Sequence, residues 1–407
     1  MMPTCVELFA GAGGAALGLH RVGFEHLALC EWDKDACATL RAAGLGPVLE
    51  GDVREQDWDQ FRGQVDMLWS SFPCQAFSTA GKRDGANDER NMWPATMDTV
   101  DDCSPAWFIA ENVPGLTYHR TECEQDPSSS PLDCPGCYFE RIILMDLADR
   151  FDWVEVWKLD AADFGVPQHR RRIFMVAGPH YVKRPIATHC DPRLRLLTVT
   201  GMSPWVSVAD ALGFIHGHIA YRRGRDGGAV DEPHPIGEPA CALRGAPGGS
   251  TTPFRVIGGG QNPSVRYPTR TYRDITDEPS TTVAASLSGT AGPFIIVENL
   301  ADEPAPTVVA TTGQWSADQV ARERWEADTG RRRLTVEECA ILQAFPPDHP
   351  FQGTKCNQYR QIGNAVPPPL AEAVAAGFAE ALTSESPRDH NENEGPGHPR
   401  PAARHQP

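Results

Sequence analysis

The chain is short of positive charge. Its 37 Lys and Arg stand against 54 Asp and Glu, a formal net charge of −17, and that imbalance at first argues against a polyanionic partner. No apolar run approaches twenty residues, which excludes a membrane-spanning helix. The opening Met1-Met2-Pro3-Thr4-Cys5-Val6-Glu7-Leu8-Phe9 lacks the basic region and apolar core of a signal peptide, so no export is expected. The 12 cysteines are scattered over 407 residues instead of forming the dense framework of a small secreted scaffold, and reduced thiols in a cytosol are expected. What is present is length enough for two or three domains with a sizeable core.

The acidity is not evenly spread. Residues 170–335 hold 20 basic and 16 acidic side chains, which leaves 17 basic and 38 acidic for the rest. From Arg193 to Arg273 there are ten Arg, five acids and no Lys. A polyanion, if one is bound, is therefore expected on the middle third.

Short apolar runs alternate with helical stretches from residue 4 to about 180. Thr4–Phe9, His26–Cys30, Val48–Gly51, Val65–Ser70, Ala106–Ala110, Val154–Leu159 and Arg172–Ala177 read as strands, the pattern of a parallel α/β sheet. Residues 186–332 change character. They are rich in Gly, Pro, Thr and Arg, carry short β-like runs such as Phe294–Val297, and read as a separate, mostly irregular or β domain. Within them Gly237-Glu238-Pro239-Ala240, Asp277-Glu278-Pro279-Ser280-Thr281-Thr282-Val283 and Asp302-Glu303-Pro304-Ala305-Pro306-Thr307-Val308 form a weak repeat, too unevenly spaced for a solenoid and read as a recurring Pro turn before a strand. Helical pattern returns at Leu334–Phe345 and Pro369–Leu382, so 333–382 is expected to rejoin the first domain, residues 1–185. The composition of 383–407 is that of a disordered tail.

The first strand runs into Phe9-Ala10-Gly11-Ala12-Gly13-Gly14-Ala15-Ala16, a glycine-rich turn opening a helix, where backbone can approach a ligand closely. Gly11-x-Gly13-x-x-Ala16 satisfies a dinucleotide fingerprint, and Glu31, at the end of the second strand, is placed to bind ribose hydroxyls. Up to this point NAD, S-adenosylmethionine and a purely structural turn all fit. Ligands of open parallel sheets bind beyond the carboxyl ends of the strands. Those ends carry, in order, Glu31-Trp32, Asp52, Ser71-Phe72-Pro73-Cys74-Gln75 and Glu111-Asn112-Val113. Hydride transfer has no use for a thiol beside a carboxylate. Methylation at C5 of cytosine does: a thiolate adding to C6 makes C5 nucleophilic, and a carboxyl group at N3 supports the developing charge.

These residues resemble the DNA (cytosine-5) methyltransferases of bacterial restriction–modification systems and phages. The resemblance rests on six ordered blocks: Glu7-Leu8-Phe9-Ala10-Gly11-Ala12-Gly13-Gly14; Phe72-Pro73-Cys74-Gln75-Ala76-Phe77-Ser78 with Ala80-Gly81-Lys82-Arg83; Glu111-Asn112-Val113; Gln168-His169-Arg170-Arg171-Arg172; Arg333-Leu334-Thr335 with Leu342-Gln343-Ala344-Phe345-Pro346; and Gln361-Ile362-Gly363-Asn364-Ala365-Val366-Pro367-Pro368. It implies a Rossmann-like α/β methyltransferase domain with S-adenosyl-L-methionine as cofactor, and a smaller target-recognition domain. Phe9, Gly11 and Gly13 would line the methionine side, Glu31 would take the ribose hydroxyls, Trp32 would stack on adenine and Asp52 would receive its amino group. Cys74 would be the nucleophile, Glu111 the N3 partner, and Arg170 and Arg172 would hold the flipped cytosine or nearby backbone, with Arg171 left to solvent or phosphate. Asn364 and Val366 would complete the cofactor pocket. The resemblance further implies double-stranded DNA as partner, a monomer in the cytoplasm of a bacterial or phage-infected cell, and a cognate restriction endonuclease encoded separately.

Two departures stand out. Ser71 takes a position where the family often has Gly. An insertion after Glu111-Asn112-Val113 brings His119, Cys123, Cys134 and Cys137, whose Cys-x2-Cys pair suits a structural zinc ion, with a loop of free thiols as the alternative. The same chemistry on tRNA, a catalytically dead DNA-binding relative and an NAD oxidoreductase are the rival readings.

Overall fold

The computed structural model describes residues 2–73, 91–119, 134–192, 201–213 and 334–384, and the backbone alone of the strands at 218–223, 230–235, 255–256, 280–281, 294–296 and 331–333. All seven strands expected in the first part are present: β1 (Thr4–Leu8), β2 (Glu25–Glu31), β3 (Val48–Glu50), β4 (Met67–Ser70), β5 (Trp107–Asn112), β6 (Trp153–Asp160) and, after the two-residue β7 (Gln168–His169), β8 (Arg171–Gly178). They form one sheet in the order β3-β2-β1-β4-β5-β8-β6. The expectation of a parallel sheet needs one correction: β8 runs antiparallel to both β5 and β6. The connection from β6 to β8, residues 161–170, holds one short helical turn at Ala161–Phe164 and β7, too little chain for the crossover helix that parallel neighbours require.

Alternate side chains face opposite layers. Met67, Trp69, Ile109, Phe174 and Val176 pack with α1 (Gly14–Arg21) and the C-terminal helix Pro368–Ser384. Leu68, Phe108, Ala110, Ile173 and Met175 pack with Trp93, Met97 and Val100 of α3 (Trp93–Cys103) and with Phe139, Ile143 and Leu147. Central strands buried on both faces leave no polar alternation, which is why these segments read as plain apolar runs. Helix α2 (Lys34–Ala43) packs Leu40 against Leu29 and Leu45.

The strand order reverses between β1 and β4, so the carboxyl ends of β1 to β5 share one edge with a crevice at the switch point. The middle segment contributes short antiparallel strands. His218–Arg223 pairs with Val230–Pro235, Arg255–Val256 and Phe294–Ile296, and the last pairs with Arg331–Arg333. In one copy of the Pro-turn repeat a strand does follow the proline: Ser280–Thr281 adds in parallel to β7. The other two copies lie outside the described residues, as does the expected tail beyond Ser384. The helix Pro368–Ser384 runs two residues past the end expected for it at 382.

Candidate active site

At the end of β1 the chain turns sharply. Phe9 has φ 57°, and Gly11 and Gly13 have φ 55° and 83°. For Phe9 a left-handed backbone stores roughly 1–3 kcal/mol, a cost met at ligand-clamping turns. Gly13, which N-caps α1, takes the same conformation without that cost. Gly14 is glycine for another reason. A Cβ there would sit 2.2 Å from the Val366 carbonyl oxygen, so the last sequence block lies directly on the start of α1.

Glu31 binds the turns that follow β1 and β2 together. Its Oε2 accepts the Gly11 N–H at 2.8 Å, and its Oε1 accepts those of Trp32 at 2.9 Å and Asp33 at 2.8 Å. Burial pushes the carboxyl pKa up and the backbone donors oppose it. Three of the roughly four lone-pair sites of a carboxylate are thereby used, leaving about one for a ribose hydroxyl. Beside it Trp32 is 74% exposed, a free aromatic face at the crevice rim. Asp52, one strand further out, accepts Arg54 Nε at 2.9 Å and Nη2 at 2.5 Å, and this side-chain hydrogen bonding lowers its pKa.

At the end of β4, Ser71 donates its N–H to the Leu8 carbonyl at 3.2 Å, and its hydroxyl accepts the Trp69 indole N–H at 3.0 Å. The departure from glycine thus has a local use. Asn112, at the end of β5, donates Nδ2 to the Phe72 carbonyl at 3.0 Å and fixes the chain two residues before Cys74. Cys74 itself lies outside the described residues. Glu111 is buried beside Asn112 and meets Arg172 Nε at 2.6 Å across the antiparallel β5–β8 pair.

The three arginines of Gln168-His169-Arg170-Arg171-Arg172 have different fates. Arg171 is exposed, with only a 3.4 Å contact to Asp160. Arg172 holds Glu111. Arg170 is 1% exposed, and its Nη1 and Nη2 donate to the carbonyls of Gly363 at 2.9 Å and Asn364 at 3.3 Å. Burial lowers its pKa and Arg172 adds to that, while Glu111 opposes it. Of the two expected roles, holding the flipped cytosine or nearby backbone, the described contacts of Arg170 are with protein backbone at Gly363 and Asn364. Gln168 acts in parallel, donating to Gln343 Oε1 at 2.8 Å, while Gln343 donates to the Ala365 carbonyl at 2.6 Å. Residues 363–365, next to Val366 and Gly14, are thus tied to the strand end that carries Arg172. Asn364 is exposed and Val366 is buried.

Some contributors were not visible in the sequence. His349 Nε2 lies 2.9 Å from the carbonyl of Ala12 inside the glycine-rich turn, with its ring against those of Phe345 and Phe351. Burial lowers the His349 pKa, so at pH 7 the ring is neutral and Nε2 carries the proton it donates. The helix Lys355–Asn364 also grips the helix Lys34–Ala43: Arg360 meets Asp33 at 2.5 Å and Gln361 accepts the Thr39 hydroxyl at 2.7 Å. None of these contacts leaves a spacing signal, because the partners are more than 300 residues apart. His349→Leu keeps the apolar packing but loses the donor, a cost of about 0.5–1.5 kcal/mol. Calorimetry is expected to show S-adenosylmethionine affinity roughly 2–10-fold lower; unchanged affinity would remove His349 from the turn's support.

Of the proposed zinc ligands, His119, Cys134 and Cys137 converge, their ligand atoms all within 4.8 Å of one another. Cys123 lies outside the described residues.

Comparison with known proteins fits this geometry. A family model described as C-5 cytosine-specific DNA methylase matches residues 3–186 and 257–379. The Type II methyltransferase M.NgoMIV of Neisseria gonorrhoeae is 30% identical over 391 residues, covering 95% of this chain and 100% of its own. M.PspPI of Psychrobacter sp. (strain TA137), also a Type II methyltransferase, is 32% identical over 410 residues, covering 95% and 81%. Among solved structures, a DNA modification methyltransferase encoded within an E. coli prophage superposes with a TM-score of 0.54 at 19% identity, covering 94% of this chain and 99% of that one. The S. pombe Dnmt2 methyltransferase gives 0.51 at 12%, covering 93% and 99%. Both likenesses establish the α/β methyltransferase fold. No helix among the described residues is long and apolar enough to cross a membrane. The chain belongs to the C-5 cytosine-specific DNA methylases and is a DNA (cytosine-5)-methyltransferase.

Proposed function

We propose that the crevice beyond β1 to β5 holds S-adenosylmethionine on one side and a flipped cytosine of duplex DNA on the other. The observation that carries this reading is the placement of Glu31, Trp32, Asp52, Phe72-Pro73 and Glu111 at neighbouring strand ends, with Asn112 linking the last two. The donor set fits the cofactor: turning backbone at Phe9, Gly11 and Gly13 for the methionine portion, Glu31 for ribose, the open face of Trp32 for adenine, and Asp52 for its amino group. Asn364 is assigned to the same pocket in this reading, and Val366 supports it from behind by packing on Gly14.

S-adenosylmethionine supplies the electrophilic methyl group. Cys74 adds through its thiolate to C6, forming a C6–S bond and pushing electron density to C5. Glu111, fixed by Arg172, bears on N3 during that addition. After methylation the C5 proton is lost and the C6–S bond breaks, which restores the aromatic ring and the thiolate. Cytosine must leave the stack for this, because its C5 and C6 faces are covered inside the duplex. Arg170 is a positioning residue in this scheme.

The segment 186–332 acts as target-recognition domain, with 1–185 and 333–382 forming the catalytic domain. Its support is the Arg-rich, Lys-free stretch from Arg193 to Arg273, since Arg suits bidentate contacts to guanine O6 and N7. Part of it, 187–256, also falls outside the family match. The protein works as a cytoplasmic monomer in a bacterial or phage-infected cell, beside a separately encoded restriction endonuclease.

Bisulfite sequencing of DNA from cells expressing the full chain tests activity and target together, with methyl transfer to purified tRNA as the contrasting arm. Methylcytosine at one recurrent duplex sequence is expected. Methylation of tRNA with none on DNA would overturn the assignment of substrate. Exchanging 186–332 for the matching segment of a relative is expected to move methylation to a new sequence. An active chimera with the old specificity would show recognition to lie elsewhere.

A further inference from the structure

We propose that His119, Cys134 and Cys137 are ligands of one structural zinc ion, which fastens the chain leaving β5 to the helical run that begins at Cys134. The argument is geometric. His119 Nδ1 lies 3.6 Å from Cys137 Sγ and 4.0 Å from Cys134 Sγ. In a tetrahedral zinc site with Zn–S near 2.3 Å and Zn–N near 2.0–2.1 Å, the edge between a nitrogen and a sulfur ligand is about 3.6 Å. The Cys137 separation equals that edge and the Cys134 separation exceeds it by about 0.4 Å, so three corners of a tetrahedral shell are nearly in place, and both thiols are buried.

The imidazole is oriented for this task. Its other nitrogen, Nε2, lies 3.2 Å from Glu140 Oε1. A carboxylate acceptor requires the proton on Nε2, which leaves the Nδ1 lone pair aimed at the two sulfurs. That is the carboxylate–histidine–metal arrangement that fixes tautomer and ring orientation around zinc. Gly136 permits the approach. A Cβ there would sit 2.8 Å from His119 Cδ2, and its N–H donates to the Tyr118 carbonyl at 3.1 Å. Two thiolates and an imidazole select zinc over hard cations such as magnesium or calcium. Cys123, the further ligand that the sequence suggests, lies outside the described residues and is not needed to define this cluster.

The site stands apart from methyl transfer but borders it. From Cys134 the chain runs through the short helix Pro135–Tyr138, a π-helical turn at Phe139–Ile143 and the helix Leu144–Ala148. Tyr138 accepts a hydrogen bond from Asn91 Nδ2 at 2.9 Å, and Asp146 accepts the Trp93 indole N–H at 2.8 Å. Asn91 is where the chain re-enters the described fold after the segment that carries Cys74. The metal therefore braces the wall on which that segment ends.

The test is made on the full chain, purified without chelator. Elemental analysis is expected to find close to one zinc per chain, lost from Cys134→Ser and Cys137→Ser and kept in Cys356→Ser, whose thiol is exposed elsewhere. Glu140→Gln is expected to keep the ion at saturation but to weaken its affinity about 10–100-fold. Should the cysteine variants fail to fold, cobalt replacement in the wild type decides. Thiolate-to-cobalt charge-transfer absorption with a tetrahedral visible spectrum is expected, and a chelator should lower the melting temperature while S-adenosylmethionine affinity is retained. Purified protein with well under one zinc, cobalt uptake without the thiolate band, or a Cys134–Cys137 disulfide seen by mass spectrometry in its place would overturn the proposal. These readouts are independent of methyl transfer, so their failure and failure of the DNA assignment are distinguishable.

Discussion

Cys74→Ser is expected to bind S-adenosylmethionine as the wild type does and to transfer essentially no methyl groups, with the rate down by at least about 10⁴-fold, the scale on which other covalent enzymes fall when their nucleophile is removed. The physical reason is the difference between a thiol and a hydroxyl. A cysteine provides a few per cent thiolate near pH 7 even without help, and the thiolate is intrinsically a strong nucleophile. A serine hydroxyl would need a strong base to attack C6, and the carboxylate at this site, Glu111, is already paired with Arg172 at 2.6 Å. Cofactor affinity should survive, because Phe9, Gly11, Glu31 and Trp32 lie at the ends of β1 and β2 and are held by bonds among themselves, such as Gly11 N–H to Glu31, even though β1 pairs with β4. Quenched methyl-transfer kinetics beside calorimetry with the cofactor make the comparison. A duplex carrying 5-fluorocytosine at the target should trap the wild type covalently, since fluorine does not leave C5 as a proton does. A variant with substantial turnover, or a wild type that forms no adduct, would end the covalent mechanism.

The parts of this site that could be read from sequence are those where chemistry and local structure coincide. Glu31, Asp52, Ser71 to Cys74 and Glu111 follow apolar runs by fixed short distances, so locating the strand ends locates them. Gly11 and Gly13 mark the turn because their backbone angles need them. The antiparallel β8 could not be read in this way. A strand buried on both faces has the same apolar composition in either direction, and only the lack of a crossover helix between Asp160 and Arg171 reveals the reversal. Arg170 shows a second limit. Adjacent arginines in one short block look interchangeable, yet β8 alternates its side chains between layers while Arg170 sits in the turn before it. Whether an arginine reaches substrate or backbone depends on Gly363 and Asn364, almost two hundred residues away. The contact of His349, and the role of Gln343 within its block, escaped for the same reason, since a hydrogen bond to a distant carbonyl imposes no periodicity.

That placement of Arg170 gives a second expected result with a large effect. Arg170→Met keeps most of the side chain's volume but removes both donors from buried carbonyls at Gly363 and Asn364. Each orphaned buried acceptor costs about 1–3 kcal/mol, so for the two the loss of unfolding free energy should be about 2–6 kcal/mol. The guanidinium keeps its proton even where burial disfavours the charge, and Arg172 and Glu111 then lose a fixed positive neighbour. The effect should also reach the cofactor. Residues 363–365 lead into Val366, whose carbonyl lies where a side chain on Gly14 would be, so loosening them loosens the start of α1. S-adenosylmethionine affinity is expected to fall roughly tenfold, equivalent to about 1.4 kcal/mol. Arg171→Ala, at an exposed position 3.4 Å from Asp160, should change stability by no more than about 0.5 kcal/mol. Urea unfolding and cofactor calorimetry on the two variants separate the roles. If Arg170→Met unfolds at the wild-type midpoint and binds the cofactor normally, yet no longer holds a flipped cytosine, the residue contacts the base and its backbone contacts are secondary.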